Sequence, residues 1–202
     1  FPINFNAPYF SRTLQEFWRG WHISLSSWLR DYLYIPLGGS RTGAARTRVN
    51  LFLTFLLGGL WHGAAWTFVL WGAFHGLYLS LERVVRRGFG LPEKPVPGAF
   101  GLRTLLGQVW IFHVVCFSWI LFRAPDLAAC GAMLRGLCRW EGAPTLWTAR
   151  ALLVLVVGFA LQALDGERMR GAWRRFNALP VFWQGAIAAL ALTAILALGP
   201  EG

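Results

Sequence analysis

The sequence predicts an all-α, polytopic membrane protein: a helical bundle that includes interfacial and re-entrant helices. Three observations lead there. Hydrophobic residues fill 56% of the 202 positions and charged residues 14%, with a mean hydropathy of +0.48. That charged share falls well below the roughly 25% of soluble domains, and one water-soluble core cannot hide so much apolar surface. Second, the apolar residues gather in runs, Thr104 to Phe122, Ala149 to Leu164 and Val181 to Leu198, that approach the ~20 residues of a crossing helix. Third, a net charge of +10 is carried almost wholly by arginine, with Lys94 the single lysine, and most of the arginines lie in gaps between apolar runs. Basic loops flanking spans mark the cytoplasmic face and meet anionic headgroups. The basic balance therefore points to lipid as a partner and not to nucleic acid.

In chain order, Phe1 to Ser11 reads as extended, because Pro2 and Pro8 push their neighbours out of the helical region. Ser11 or Thr13 then caps a helix with Gln15 or Glu16 in its first turn, and the pattern carries that helix to about Leu33. At 100° per residue Leu14, Phe17, Trp18, Trp21, Leu25, Trp28, Leu29 and Tyr32 share one broad face, with Glu16, Arg19, Ser26 and Arg30 turned away, the pattern of an interfacial or re-entrant helix. Pro36, Gly38 and Gly39 end it, and Ser40 to Thr47 is a polar, basic linker. From Val49 to Leu81 the chain is apolar for longer than one crossing. If the arginine-rich stretches at Ser40 to Arg48, Arg83 to Arg103 and Asp165 to Asn177 all face the cytoplasm, this run must fold back as a hairpin. Gly58, Gly59 and Gly63 bracket Trp61 and His62, so a break is expected there, with His62 facing a cavity. An amphipathic piece follows near Leu127 to Arg139.

Three of the four histidines, His22, His62 and His75, lie between Leu14 and Ser80. Ionisable groups at membrane depth are rare and point to function, yet a buried histidine that ties two helices together is an equally good reading of His62 from the residues alone. His75 follows His62 by thirteen positions, about 220° around an unbroken helix, so the two would not share a face and a metal pair is not expected. His113 is expected to bond between helices. Cys116, Cys130 and Cys138 are odd in number and lack a C-x-x-C pair, which offers neither a disulfide framework nor a zinc site. Ser24 and Ser26 suit hydrogen bonding to backbone better than carrying an acyl group. Arg30 and Asp31 are adjacent opposite charges, either a solvated pair or a contact for a phosphate-bearing ligand.

The segments FWRGWHISLSSWLRDYLYIPLGG, GGLWHG with the apolar stretch after it, and the later CFSWILFRAPD closely resemble the membrane-bound O-acyltransferase family, in its branch that acetylates exported polysaccharides of the alginate type. The resemblance is strong from Phe1 to Glu82. Family members are usually more than twice this length, so it implies that residues 1–202 are the C-terminal part of one membrane domain, with 1–82 holding the catalytic motifs and 83–202 adding transmembrane helices. Such a piece would supply only part of a chamber wall and is expected to be inactive alone.

The resemblance also implies a multi-pass protein of the bacterial inner membrane. It would bind no permanent cofactor and would take acetyl-CoA or another acyl donor as substrate. Its further partners would be a polysaccharide acceptor and a periplasmic acetyl-transfer protein. His62 matches the histidine the family regards as its base, a task that suits a neutral imidazole. His22 matches the second prominent histidine, with a role in orienting the acceptor or stabilising charge, and Arg30 with Asp31 would contact the donor. The alternative is a non-enzymatic polytopic protein, a transporter half or structural subunit. Transporters commonly carry paired broken helices, whereas here the glycine-bracketed site occurs once.

Overall fold

The computed structural model describes residues 3–92, 101–139, 148–163 and 166–198, and among them it is helical with no strand. The chain divides into two units, residues 1–141 and 142–202. The middle of the second expected basic loop, 93–100, and residues 140–147 of the mixed stretch lie outside the described residues.

In the first unit an extended entry and a short 3-10 turn at Pro8–Phe10 lead into α1, Leu14–Gly20. Thr13 caps α1 as its position suggested: its side chain accepts the Glu16 N–H at 3.0 Å. Glu16 in turn accepts from the Arg12 N–H at 2.8 Å and the Arg12 guanidinium at 2.9 Å, the reciprocal economy of a capping box shifted by one residue. The continuous helix expected as far as Leu33 does not form. It breaks at Trp21 and His22, and α2, Ile23–Leu29, starts in a new direction before a π-helical turn at Arg30–Tyr34. The cause is tertiary. The extended entry lies across the junction, with Asn6 N–H donating to the Gly20 carbonyl at 2.8 Å and Ile23 N–H to the Asn4 carbonyl at 2.9 Å. Gly20 permits this approach, since a Cβ there would stand 2.6 Å from the Asn6 oxygen. The single apolar face therefore splits: Leu14 and Phe17 are buried, while Trp28 and Tyr32, past the break, are 52% and 71% exposed.

The run from Val49 to Leu81 folds back as expected, into α3, Ala44–His62, and α4, Trp66–Gly88. The break expected at the glycine-bracketed Trp61 and His62 falls directly after His62, at Gly63–Ala65, while Gly58 and Gly59 stay helical. Their smallness serves packing instead. A Cβ on Gly59 would overlap the Phe68 carbonyl oxygen, one on Gly72 the Phe55 carbonyl oxygen, and one on Gly76 would stand 2.8 Å from the Phe52 Cα. Close approach through small residues is how helices associate where lipid removes the hydrophobic driving force. Asn50, fully buried, donates through Nδ2 to the Gly39 carbonyl at 3.1 Å and ties the preceding turn to α3.

Helix α5, Leu102–Arg123, is the one helix among the described residues long and apolar enough to cross a membrane. Leu14, Phe17, Leu79, Ile111 and Val115 form the core that joins α1, α4 and α5. His113, expected to bond between helices, is exposed and its Nδ1 stands 2.7 Å from the Val109 carbonyl of its own helix. Asp126 accepts the Ala129 N–H and opens α6, Leu127–Arg139. Arg83, Arg86 and Arg87, read from the sequence as loop residues, belong to the last turns of α4.

The second unit holds α7, Ala149–Ala163, α8, Gly166–Asn177, and α9, Val181–Leu198. Helix α9 has the bounds of the expected run Val181 to Leu198, and α7 follows the expected run from Ala149 as far as Ala163. The basic stretch after α7 is a helix and not a loop.

Candidate active site

A cavity of about 570 Å³ runs through the first unit, and both His22 and His62 line it. On α3 the lining residues are Leu51, Thr54, Phe55, Gly58 and His62, spaced as one helical face about 16 Å long at 1.5 Å per residue. Trp71, Leu79, Glu82 and Arg83 line it from α4, and Trp119 and Phe122 from α5. Because α3 and α4 are antiparallel, the cavity has two ends. His62 stands at the tip of the hairpin, and Arg83 stands near its base, where the Ser80 hydroxyl reaches the Arg48 carbonyl. Trp71 and Arg83 are about 18 Å apart along α4 on the same 1.5 Å rise.

His62 is the last residue of α3, and its imidazole sits among rings: Trp61 at 5.0 Å, Trp71 at 5.4 Å and Phe122 at 5.0 Å between centroids, each edge to face. Phe122 and Trp119 come from the CFSWILFRAPD motif, so three segments that are remote in sequence meet at this histidine. His22 sits at the α1–α2 break with φ 43° and ψ 56°, a left-handed conformation uncommon for a residue with a side chain and frequent at functional sites. Its Nδ1 is 3.4 Å from the Ser24 hydroxyl.

His75 does not reach the cavity. It is buried, and its Nδ1 accepts the Trp18 indole N–H at 3.3 Å, with Trp71 packed edge to face at 4.8 Å. Its place is behind the wall, in keeping with a structural role. No group of three or more His, Cys, Asp and Glu side chains that could hold a metal occurs among the described residues.

Arg30 lines the cavity and is bound to Asp31 through Nε at 2.7 Å and Nη2 at 3.0 Å, both side chains being largely in solvent. Those hydrogen bonds, with a smaller contribution from the charge of Arg30, hold the Asp31 carboxyl below the usual carboxylate range. Sequence reasoning overlooked Arg19 and Arg83, which line the cavity, and Glu82, whose carboxylate accepts the N–H groups of Leu14 and Gln15 at 3.0 and 3.2 Å and anchors the start of α1. The available signal for Glu82 was an acidic residue directly after an apolar run; its partners lie 67 and 68 positions away.

Residues 1–122 match the membrane-bound O-acyltransferase family. The chain is 52% identical over 127 residues to the probable alginate O-acetylase AlgI of Azotobacter vinelandii, covering 63% of this chain and 24% of that protein. It is 49% identical over 174 residues to the corresponding protein of Pseudomonas syringae pv. tomato, covering 83% and 32%. It is 42% identical over 146 residues to the peptidoglycan O-acetyltransferase of Helicobacter pylori, covering 70% and 26%. The chain thus spans between a quarter and a third of the length of these curated relatives. The family match covers every residue that lines the cavity and extends over more than half of the sequence, and so the chain belongs to the membrane-bound O-acyltransferase family.

Proposed function

We propose that this chain is the catalytic segment of an O-acetyltransferase of the bacterial inner membrane, which moves an acetyl group from a cytoplasmic thioester donor such as acetyl-CoA to a hydroxyl of an exported polysaccharide. The observation that carries this reading is one cavity lined by both His22 and His62 and also by the cations Arg19, Arg30 and Arg83. His62, a neutral imidazole walled by rings, takes the proton of the acceptor hydroxyl as its oxygen attacks the thioester carbonyl. The tetrahedral intermediate collapses with loss of the donor thiolate, which receives the proton and leaves as the thiol. The ester stays on the polysaccharide.

Arg83, near the base of the hairpin, and Arg19, also on the cavity wall, suit the phosphates of the donor, since guanidinium groups bind phosphate through paired hydrogen bonds. Arg30 adds a third cation on the cavity wall, held by Asp31 until a ligand competes for it. With the arginine-rich base of the hairpin on the cytoplasmic side, the donor enters there and the acetyl group meets His62 at the tip. The relatives' acceptors, alginate and peptidoglycan by name, share a sugar hydroxyl.

The test is acetyl transfer by the full-length protein in detergent or nanodiscs. His62→Gln should lower kcat by about 10²- to 10⁴-fold, the usual cost of losing a general base, while membrane insertion and expression stay normal. Near-normal transfer by that variant would return His62 to a packing role.

A further inference from the structure

The surroundings of His22 determine which of its ring nitrogens carries the proton. Asn4, in the extended entry, places its Oδ1 3.0 Å from the Ser24 nitrogen and 3.0 Å from the Ser24 hydroxyl oxygen. A backbone N–H only donates, so the Asn4 atom facing it is the amide oxygen, an acceptor. The Ser24 hydroxyl, bonded to the same oxygen, must spend its one proton there. What it turns toward His22 Nδ1, 3.4 Å away, is a lone pair. Nδ1 must then be the protonated nitrogen of the neutral ring, and Nε2 is left with the free pair. The backbone locks the arrangement. His22 is held in its left-handed conformation by the Asn4 and Asn6 hydrogen bonds to Ile23 and Gly20 on either side, and Ser26 Oγ caps the Trp21 carbonyl freed by the break at 3.0 Å.

We propose that Asn4 and Ser24 are positioning residues that fix His22 as the Nδ1–H tautomer, so that His22 Nε2 accepts a hydrogen bond from a second hydroxyl of the acceptor sugar, next to the one His62 deprotonates. The inference rests on the acyl-transfer reading of this cavity. It assigns the two histidines different tasks: one removes the proton, the other holds the acceptor through a hydrogen bond. It also gives the serine of the tryptophan-histidine motif a chemical role that needs no acyl-serine intermediate.

The test uses the full-length protein with ¹⁵N-labelled histidine, at a pH where the ring is neutral, with the His22 resonances identified by their absence in His22→Gln. Wild type should show the Nδ1–H tautomer. Ser24→Ala keeps the backbone bond to Asn4 and removes the hydroxyl; it should give a mixture of tautomers and raise the acceptor KM about 10- to 100-fold, the range seen when the hydrogen-bond partner that orients a metal-bound histidine is lost, with the donor KM unchanged. Ser24→Thr, which keeps a hydroxyl, should restore both. An Nε2–H tautomer in the wild type, or a Ser24→Ala protein with both tautomer and acceptor KM as in the wild type, would overturn the proposal. Absence of any transfer by the wild type would instead count against the acyl-transfer reading, and the tautomer measurement would still decide the Asn4 and Ser24 assignment.

Discussion

Arg30 and Asp31 show how one residue can hold another in reserve. Their two short hydrogen bonds occupy the fork that a phosphate would otherwise use, and in solvent such a pair contributes little stability. Asp31→Asn should free Arg30 and lower the donor KM, measured as initial rates against donor concentration; an unchanged KM would remove Arg30 from the donor site. The sign with pH follows from the lowered carboxyl. Asp31 therefore stays ionised to lower pH than an unpaired carboxyl would, and donor affinity should improve as pH falls far enough to protonate it, which releases Arg30 as the substitution does. His22 and His62 differ at this scale: the first is held by its contact with the Ser24 hydroxyl and by the hydrogen bonds of the entry segment to Gly20 and Ile23, the second by the rings of Trp61, Trp71 and Phe122.

The decisive element is the α3–α4 hairpin, because one face of α3 is the cavity wall. Its spacing depends on Gly59, Gly72 and Gly76, each of which a methyl group would bring into the partner helix's backbone. Gly72→Ala should therefore push the helices apart at the depth of Trp71, at a cost of about 1–3 kcal/mol typical of overpacking, and should lower both the melting temperature in detergent and the transfer rate. Gly88→Ala, with nothing within 4 Å of the new methyl group, is the control and should leave both unchanged. A Gly72→Ala protein with wild-type melting would mean that the hairpin is less tightly packed than this geometry requires.

At the scale of the molecule, sidedness follows from the hairpin. Arg41 precedes α3 and Arg86 lies in the last turn of α4, so both flank the base. Single cysteines at these two positions, in a background lacking Cys116, Cys130 and Cys138, should react with an impermeant maleimide from the same side of sealed vesicles. Labelling from opposite sides would rule out the returning hairpin and the donor route built on it.

Composition and pattern alone determined that the chain is helical, apolar and arginine-flanked, that a helix starts after Ser11 or Thr13, and that Val49 to Leu81 turns back if its arginine-rich flanks share one side. These properties depend on residue type and on spacing along one element. The motifs around His22 and His62 were legible because tryptophan, histidine and glycine stand together in otherwise apolar text. The tertiary structure alone decided three things. It broke the first helix at His22, through Asn4 and Asn6, whose hydrogen bonds have no periodicity to read. It kept α3 helical through Gly58 and Gly59, because there a missing side chain serves a neighbouring helix and not a bend. And it brought Phe122, Arg19, Arg83 and the two histidines to one cavity, since residues dozens of positions apart become neighbours only when helices pack, and packing depends on shapes that no single stretch of sequence records.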